Sequence, residues 1–195
     1  MAKYVREFLS HSMIRFILLL AAVSLTITIV NLHRIETGIA FLAGALVYAV
    51  AEYFVHCYLL HRLPNAIPAL HRGHAKHHEH PEDFEHLFSP LWYDMLIYAL
   101  YFTVLMALLG NLSLTVAVIA GTSLYQIYYQ WMHYLAHRPI TPFTRWGKWM
   151  KKKHLLHHYL DDQSWYGVSH PFLDYLAGTS QAKKGKMSGK TDASA

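Results

Sequence analysis

Residues 95–132 read MLIYALYFTVLMALLGNLSLTVAVIAGTSLYQIYYQWM, and no Asp, Glu, Lys, Arg or His interrupts them. A helix needs about 20 apolar residues to cross a bilayer, so this stretch is too long for one crossing and suits two. Gly110-Asn111 is the break, because glycine accepts positive φ and asparagine bonds the local backbone. A tight helical hairpin is predicted, with spans at about 95–110 and 112–132. Two upstream segments follow the same rule. One covers about 13–32 and crosses only Arg15; the other covers about 38–60 and carries only Glu52 and His56, both near its downstream end. A cleaved signal peptide is the rival for the first, but Met1–Arg15 makes a long leading region and no A-x-A-like site follows. The segment is expected to remain as a helix.

Composition agrees with a membrane protein. Of 195 residues 54% are hydrophobic and 15% charged, with a mean hydropathy of +0.17, which argues against a soluble domain of this size. The expected fold is an all-α integral membrane protein: four transmembrane helices in two hairpins with a cytosolic, helical, histidine-rich cap. One membrane-embedded domain is expected over 1–180, followed by a disordered cytoplasmic tail at 181–195, QAKKGKMSGKTDASA, which has no apolar periodicity. No internal repeat is visible. Of 17 Lys and Arg, only Arg34 falls on the side opposite the N-terminus, so the positive-inside rule places both termini and the cap in the cytoplasm. The net charge of +5 then belongs beside lipid, and no nucleic-acid partner is expected. The single cysteine, Cys57, excludes an intrachain disulfide framework and a Cys-rich metal site.

Sixteen histidines nearly match the Lys and Arg in number, and most stand in four clusters. These are His56-Cys-Tyr-Leu-Leu-His61, His74-Ala-Lys-His77-His78, His133-Tyr-Leu-Ala-His137 and His154-Leu-Leu-His157-His158. Spacings of three and four residues put side chains about 60° and 40° apart on a helix, so each H-x-x-H-H set is expected to form a comb on one face. His56 and His61 differ, because five residues turn the second side chain about 140° away on a regular helix. Either the helix ends there or the two serve different metals. Ten imidazoles exceed the needs of one ion, and two metals fit the count. Imidazole alone does not choose between zinc, copper, iron and nickel. His11, His33 and His170 have no partner at ligand spacing and are taken as ordinary core or surface residues; His71, His80 and His86 flank the second cluster and are intermediate. A histidine-rich storage tract is the rival, but it needs no fixed spacing.

The boxes HCYLLH, HAKHH, HYLAH and HLLHH resemble those of the fatty acid hydroxylase and sterol desaturase superfamily over about residues 52–179. Glu52-Tyr53, HAKHHEHPED at 74–83 and HLLHHYLDDQSWYGVSHPFLDYLAGT at 154–179 are most similar to fatty acid 2-hydroxylases. The resemblance implies a di-iron centre, with zinc able to replace iron in purified protein. It also implies O2 as oxidant and hydroxylation of a lipid chain, possible at C2. The implied ligands are His56, His61, His74, His77, His78, His133, His137, His154, His157 and His158, with His71 as an additional candidate. The chain lacks a His-Pro-Gly-Gly haem motif and has Arg138-Pro139 after His137 where eukaryotic 2-hydroxylases have another histidine. Electrons are therefore expected from a separate ferredoxin or cytochrome b5 type protein.

No catalytic residue is expected beyond the ligands. Glu52 lies one helical turn before His56, and a carboxylate at that depth demands a partner, either an imidazole N–H or a loop cation. Asp83, Asp161, Asp162 and Asp174 match acidic or polar positions of the family and are open as imidazole acceptors, caps or surface charges. Tyr125, Tyr128, Tyr129, Trp131 and Tyr134 are read as an aromatic belt. Arg145, Lys148 and Lys151 to Lys153 form a basic patch that suits an acidic electron donor or anionic headgroups equally. The expected function is hydroxylation of a fatty acyl chain, free or within a complex lipid. The alternatives are a carotenoid or sterol-type hydroxylase or desaturase, and a non-enzymatic membrane metal-binding protein.

Overall fold

The computed structural model describes residues 1–32 and 34–182; His33 and the greater part of the predicted tail lie outside the described residues. Helices are the regular structure of those residues, with no strand among them. The helices are α1 (Ala2–Ser10), α2 (Ser12–Val30), α3 (Ile35–Phe54), α4 (Pro68–Glu79), α5 (Leu91–Leu109), α6 (Leu112–Ala136), α7 (Arg145–Tyr159) and α8 (Phe172–Leu176). A π-helix, Val55–Arg62, continues α3 without a break. Four helices are long and apolar enough to cross a membrane: Ser12–Val30, Ile35–Arg62, Leu91–Leu109 and Leu112–Ala136.

The residues form two compact units, one of 1–49 with 88–130 and the other of 50–87 with 131 onward, so that α3 and α6 each contribute to both. In the first unit the spans turn leucines outward, with Leu42, Leu46, Leu96, Leu100 and Leu108 all more than 60% exposed, as lipid-facing helices do. Hydroxyls within α2 return to their own backbone: Ser24 Oγ donates to the Leu20 carbonyl and Thr28 Oγ1 to that of Ser24. Small residues bring α3 and α6 together, since a Cβ on Gly44 would overlap the Val118 carbonyl and one on Gly121 that of Phe41. Between α5 and α6, the buried Asp94 accepts from Ser89 Oγ at 2.6 Å and from Gln126 Nε2 at 2.7 Å, while Tyr98 donates to Gln126 Oε1.

The predicted hairpin break is where α5 stops. Gly110 takes φ +57°, its N–H closes on the Met106 carbonyl, and Asn111 Oδ1 caps the Leu114 N–H of α6. Sequence reading did not anticipate α1, a separate helix that buries Phe8 against Phe88. His11 forms the joint between α1 and α2, with its ring against Phe88.

In the second unit, the π-helix packs on α4, which starts at Pro68, where the missing N–H costs nothing. Thr144 caps α7 by accepting from the Gly147 N–H. Lys151 does not belong to an open basic patch. Its Nζ donates to the carbonyls of Leu135, Arg138 and Ile140 at 2.9, 2.6 and 2.9 Å, filling one acceptor in the last turn of α6 and two in the segment that follows it. Arg145, Lys148 and Lys152 remain exposed.

Candidate metal centre

All ten histidines expected as ligands fall in the second unit, and they gather into two groups of five. Site one contains His56, His61, His74, His78 and His157; site two contains His77, His133, His137, His154 and His158. Within each, the five ligand nitrogens lie within 4.8 Å of one another.

The first box shows how the chain reaches this arrangement. The helix runs on through His61, and the two histidines fall in one group. The backbone widens. A π-helix closes i→i+5 hydrogen bonds, so a spacing of five returns to nearly the same face. The turn ends with the Leu63 N–H on the Tyr58 carbonyl at 2.7 Å. His71 stands outside both groups; its Nδ1–H donates to the Leu60 carbonyl at 2.8 Å, closing the end of the π-helix.

The H-x-x-H-H boxes are not single combs. Consecutive residues on an α-helix project about 100° apart, so each doublet splits, while i, i+4 pairs stay together. The second box therefore sends His74 and His78 to site one and His77 to site two, and the fourth sends His154 and His158 to site two and His157 to site one. Each site takes a pair from a membrane helix end, an i, i+4 pair from one box and the middle histidine of the other. His78 and His158, one from each site, stack with ring centroids 4.0 Å apart.

The donor set fits a cation. The Nδ1–H of His56 donates to the Tyr166 carbonyl at 2.6 Å and that of His157 to the Ser164 carbonyl at 2.7 Å, which leaves both Nε2 atoms as bare acceptors. Those atoms lie 3.2 Å from His74 Nε2 and 3.1 Å from His61 Nε2 respectively. In site two, His137 Nε2 is 2.8 Å from His154 Nε2 and His133 Nε2 is 3.1 Å from His77 Nε2. A metal bound at about 2.1 Å in octahedral geometry holds neighbouring nitrogens about 3.0 Å apart. Burial keeps the rings neutral, pushing His78 down to about 4 against the opposing pull of Asp162; with neighbouring imidazoles adding to burial, His77 is pushed down to about 2 and His137 to about 3, and His74, His154 and His157 fall well below the usual value. Neutral imidazole is the form that binds metal.

Glu52 finds its partners in the segment 168–170. It accepts from the backbone N–H of Val168 and Ser169 at 3.0 and 2.9 Å and from Ser169 Oγ at 2.5 Å. His170, taken as an ordinary residue, has Nδ1 3.7 Å from the same carboxylate, which raises its pKa. Asp174 accepts from the N–H groups of Tyr166 and Gly167 and from Thr179 Oγ1, and Asp161 from Ser164 Oγ. Asp83 turns the loop after the second box by accepting from the Glu85 N–H and His86. The sequence did not single out Tyr166, Val168 and Ser169; their signal was their place in the block 154–179 that carries the family resemblance. Arg138 is buried; its guanidinium lies over Phe84 and Tyr134 and donates to the Glu82 carbonyl.

This helical scaffold with its paired histidine groups defines a class, and the comparisons name it. The family model described as fatty acid hydroxylase matches residues 41–179, and the chain belongs to that family. It is 29% identical over 155 residues to the ceramide very long chain fatty acid hydroxylase SCS7 of Saccharomyces cerevisiae, covering 76% of this chain and 40% of that protein. It is 29% identical over 148 residues to the dihydroceramide fatty acyl 2-hydroxylase FAH2 of Arabidopsis thaliana, covering 74% and 61%. The human fatty acid 2-hydroxylase is 26% identical over 149 residues, covering 74% and 40%. The chain thus spans less than two thirds of the length of these relatives. A solved structure of full-length Scs7p, with only the hydroxylase domain visible, superposes with a TM-score of 0.70 at 28% identity, covering 81% of this chain and 62% of that one.

Proposed function

We propose that this chain is an O2-dependent lipid hydroxylase that binds two iron ions and inserts a hydroxyl group into a fatty acyl chain at C2. The observation that carries the reading is the convergence of ten neutral imidazoles into two five-nitrogen groups in a chain of the fatty acid hydroxylase family. The names of the relatives favour an acyl substrate over a carotenoid or sterol. When bound, a pair of redox-active metals supplies dioxygen activation and the oxidising power to attack an unactivated C–H bond. The balanced reaction takes the substrate, O2, two electrons and two protons to the alcohol and water.

The protein's part is positioning. His56, His61 and His133 stand in the last turns of helices long enough to cross a membrane, which suits a substrate whose chain stays in hydrocarbon. His56 and His157 aim Nε2 into site one because backbone carbonyls hold their Nδ1–H groups. We assign one hydroxylase domain to residues 1–180, with termini and histidines on the cytoplasmic side by the positive-inside rule. Electrons come from a separate ferredoxin or cytochrome b5 type protein, for which exposed Arg145, Lys148 and Lys152 offer an acidic partner a docking face.

Lipid mass spectrometry of host cells producing the chain tests the reading. Acyl species heavier by one oxygen are expected with the wild-type chain and absent with His157→Ala. No such species with the wild-type chain, in cells supplying iron and electron donors, contradicts it.

A further inference from the structure

The two metal sites are held differently, and the difference lies in the segment 161–170. That loop offers two carbonyls to the histidine groups, those of Ser164 and Tyr166, and both receive Nδ1–H groups of site-one histidines, His157 and His56. In site two, by contrast, the buried Nδ1 atoms of His77, His154 and His158 have no protein partner.

The loop does not take its shape from regular structure. Trp165, between the two carbonyls, adopts φ +58°, a left-handed conformation that costs a bulky residue about 1–3 kcal/mol and persists only where the surroundings impose it. Three buried carboxylates impose it. Asp161 holds the Ser164 side chain, Asp174 holds the Tyr166 and Gly167 amides, and Glu52 holds Val168 and Ser169. The far side is closed by the Trp165 N–H on the Thr179 carbonyl at 2.8 Å and by Tyr53 OH, 3.0 Å from Thr179 Oγ1. Glu52 sits one turn before His56 on the same helix, so it ties the loop to the element that supplies a ligand.

We propose that this loop is a clasp for one metal of the pair: Glu52 and Asp174 are positioning residues that set occupancy of site one and leave site two to assemble without them. The inference rests on the two-metal reading above. Its physical basis is that a ring whose second nitrogen is fixed presents its ligand nitrogen at no further ordering cost, and partners of this kind typically contribute tenfold to a hundredfold in metal affinity.

Metal analysis of detergent-purified full-length protein tests it. The wild-type chain is expected to carry about two metals; fewer than one would overturn the two-metal reading itself, separately from the clasp. Given two, Asp174→Asn, which keeps the volume but removes one acceptor, is expected to lower content toward one. Adding His137→Ala to it should bring content near zero, whereas adding His61→Ala should cause no further loss. Retention of both metals in Asp174→Asn, or equal losses on adding either histidine change, overturns the proposal. Should Asp174→Asn fail to fold, hydrogen exchange supplies the test, because linkage is reciprocal. Amides of 166–169 are expected to exchange at least about tenfold faster in His61→Ala but not in His137→Ala; equal exchange in the two overturns the clasp.

Discussion

The first and third histidine boxes perform the same task with different backbones. In the third, His133 and His137 are four residues apart, His133 in the last turn of α6 and His137 just past its end in a turn closed by its N–H on the Tyr134 carbonyl, and this near-α spacing brings them to one group. In the first, His56 and His61 are five apart, and eight residues of π-helix bring them to a common site. The ends are also held differently: Lys151 fills one carbonyl in the last turn of α6 and two just beyond it, whereas His71 fills one near the end of the π-helix. A ligand spacing therefore does not specify a face until the backbone type is known, and here the demand for convergence has selected the backbone.

Changing the register breaks the comparison most severely. Deleting Leu59 gives the first box the spacing of the third, so an α-helix suffices and both metals are expected to be retained. Inserting an alanine between Leu135 and Ala136 gives the third box the spacing of the first. Lys151 holds that end closed, and loss of one metal of the two is expected. Metal content of both variants checks this, and the opposite pattern would show that the π-helix serves some other purpose.

Acid should affect both histidine groups alike. In the metal-free protein the buried histidines titrate well below their unfolded value of about 6.5, His78 near 4 and His137 near 3. As pH falls below about 6.5, the unfolded chain takes up protons that the folded chain refuses. Stability is therefore complete above that value and declines as pH falls toward 4, which thermal melts of chelator-treated protein would detect as a falling Tm.

The smallest effects concern the helix ends. Lys151→Met leaves three carbonyls without their cation and is expected to cost about 2 kcal/mol, while His71→Ala removes one hydrogen bond and is expected to cost about 1 kcal/mol. Chemical denaturation measures both. His71→Ala is also expected to retain both metals, and loss of one would make His71 a ligand after all.

Much of this was legible in the sequence, for a reason that also explains what was not. The four spans and the Gly110-Asn111 turn follow from length, charge and local backbone preference, each contained in a short window. The ten histidines stood out by spacing. Their division between two sites did not, because it depends on which of two adjacent residues faces which neighbour. The partners of Glu52 lie more than a hundred residues downstream, at Val168 and Ser169, and no local pattern connects them. Lys151 looked like surface charge because a run of three lysines carries no mark of the one that turns inward. The helix α1 was missed because a short amphipathic segment ahead of a long apolar one reads as its flank.

Anomalous diffraction at the iron edge, from crystals of protein prepared with iron, tests the central claim most directly. Two peaks are expected, one among His56, His61, His74, His78 and His157 and one among His77, His133, His137, His154 and His158. A single peak shared by both groups, or none within either, would contradict it.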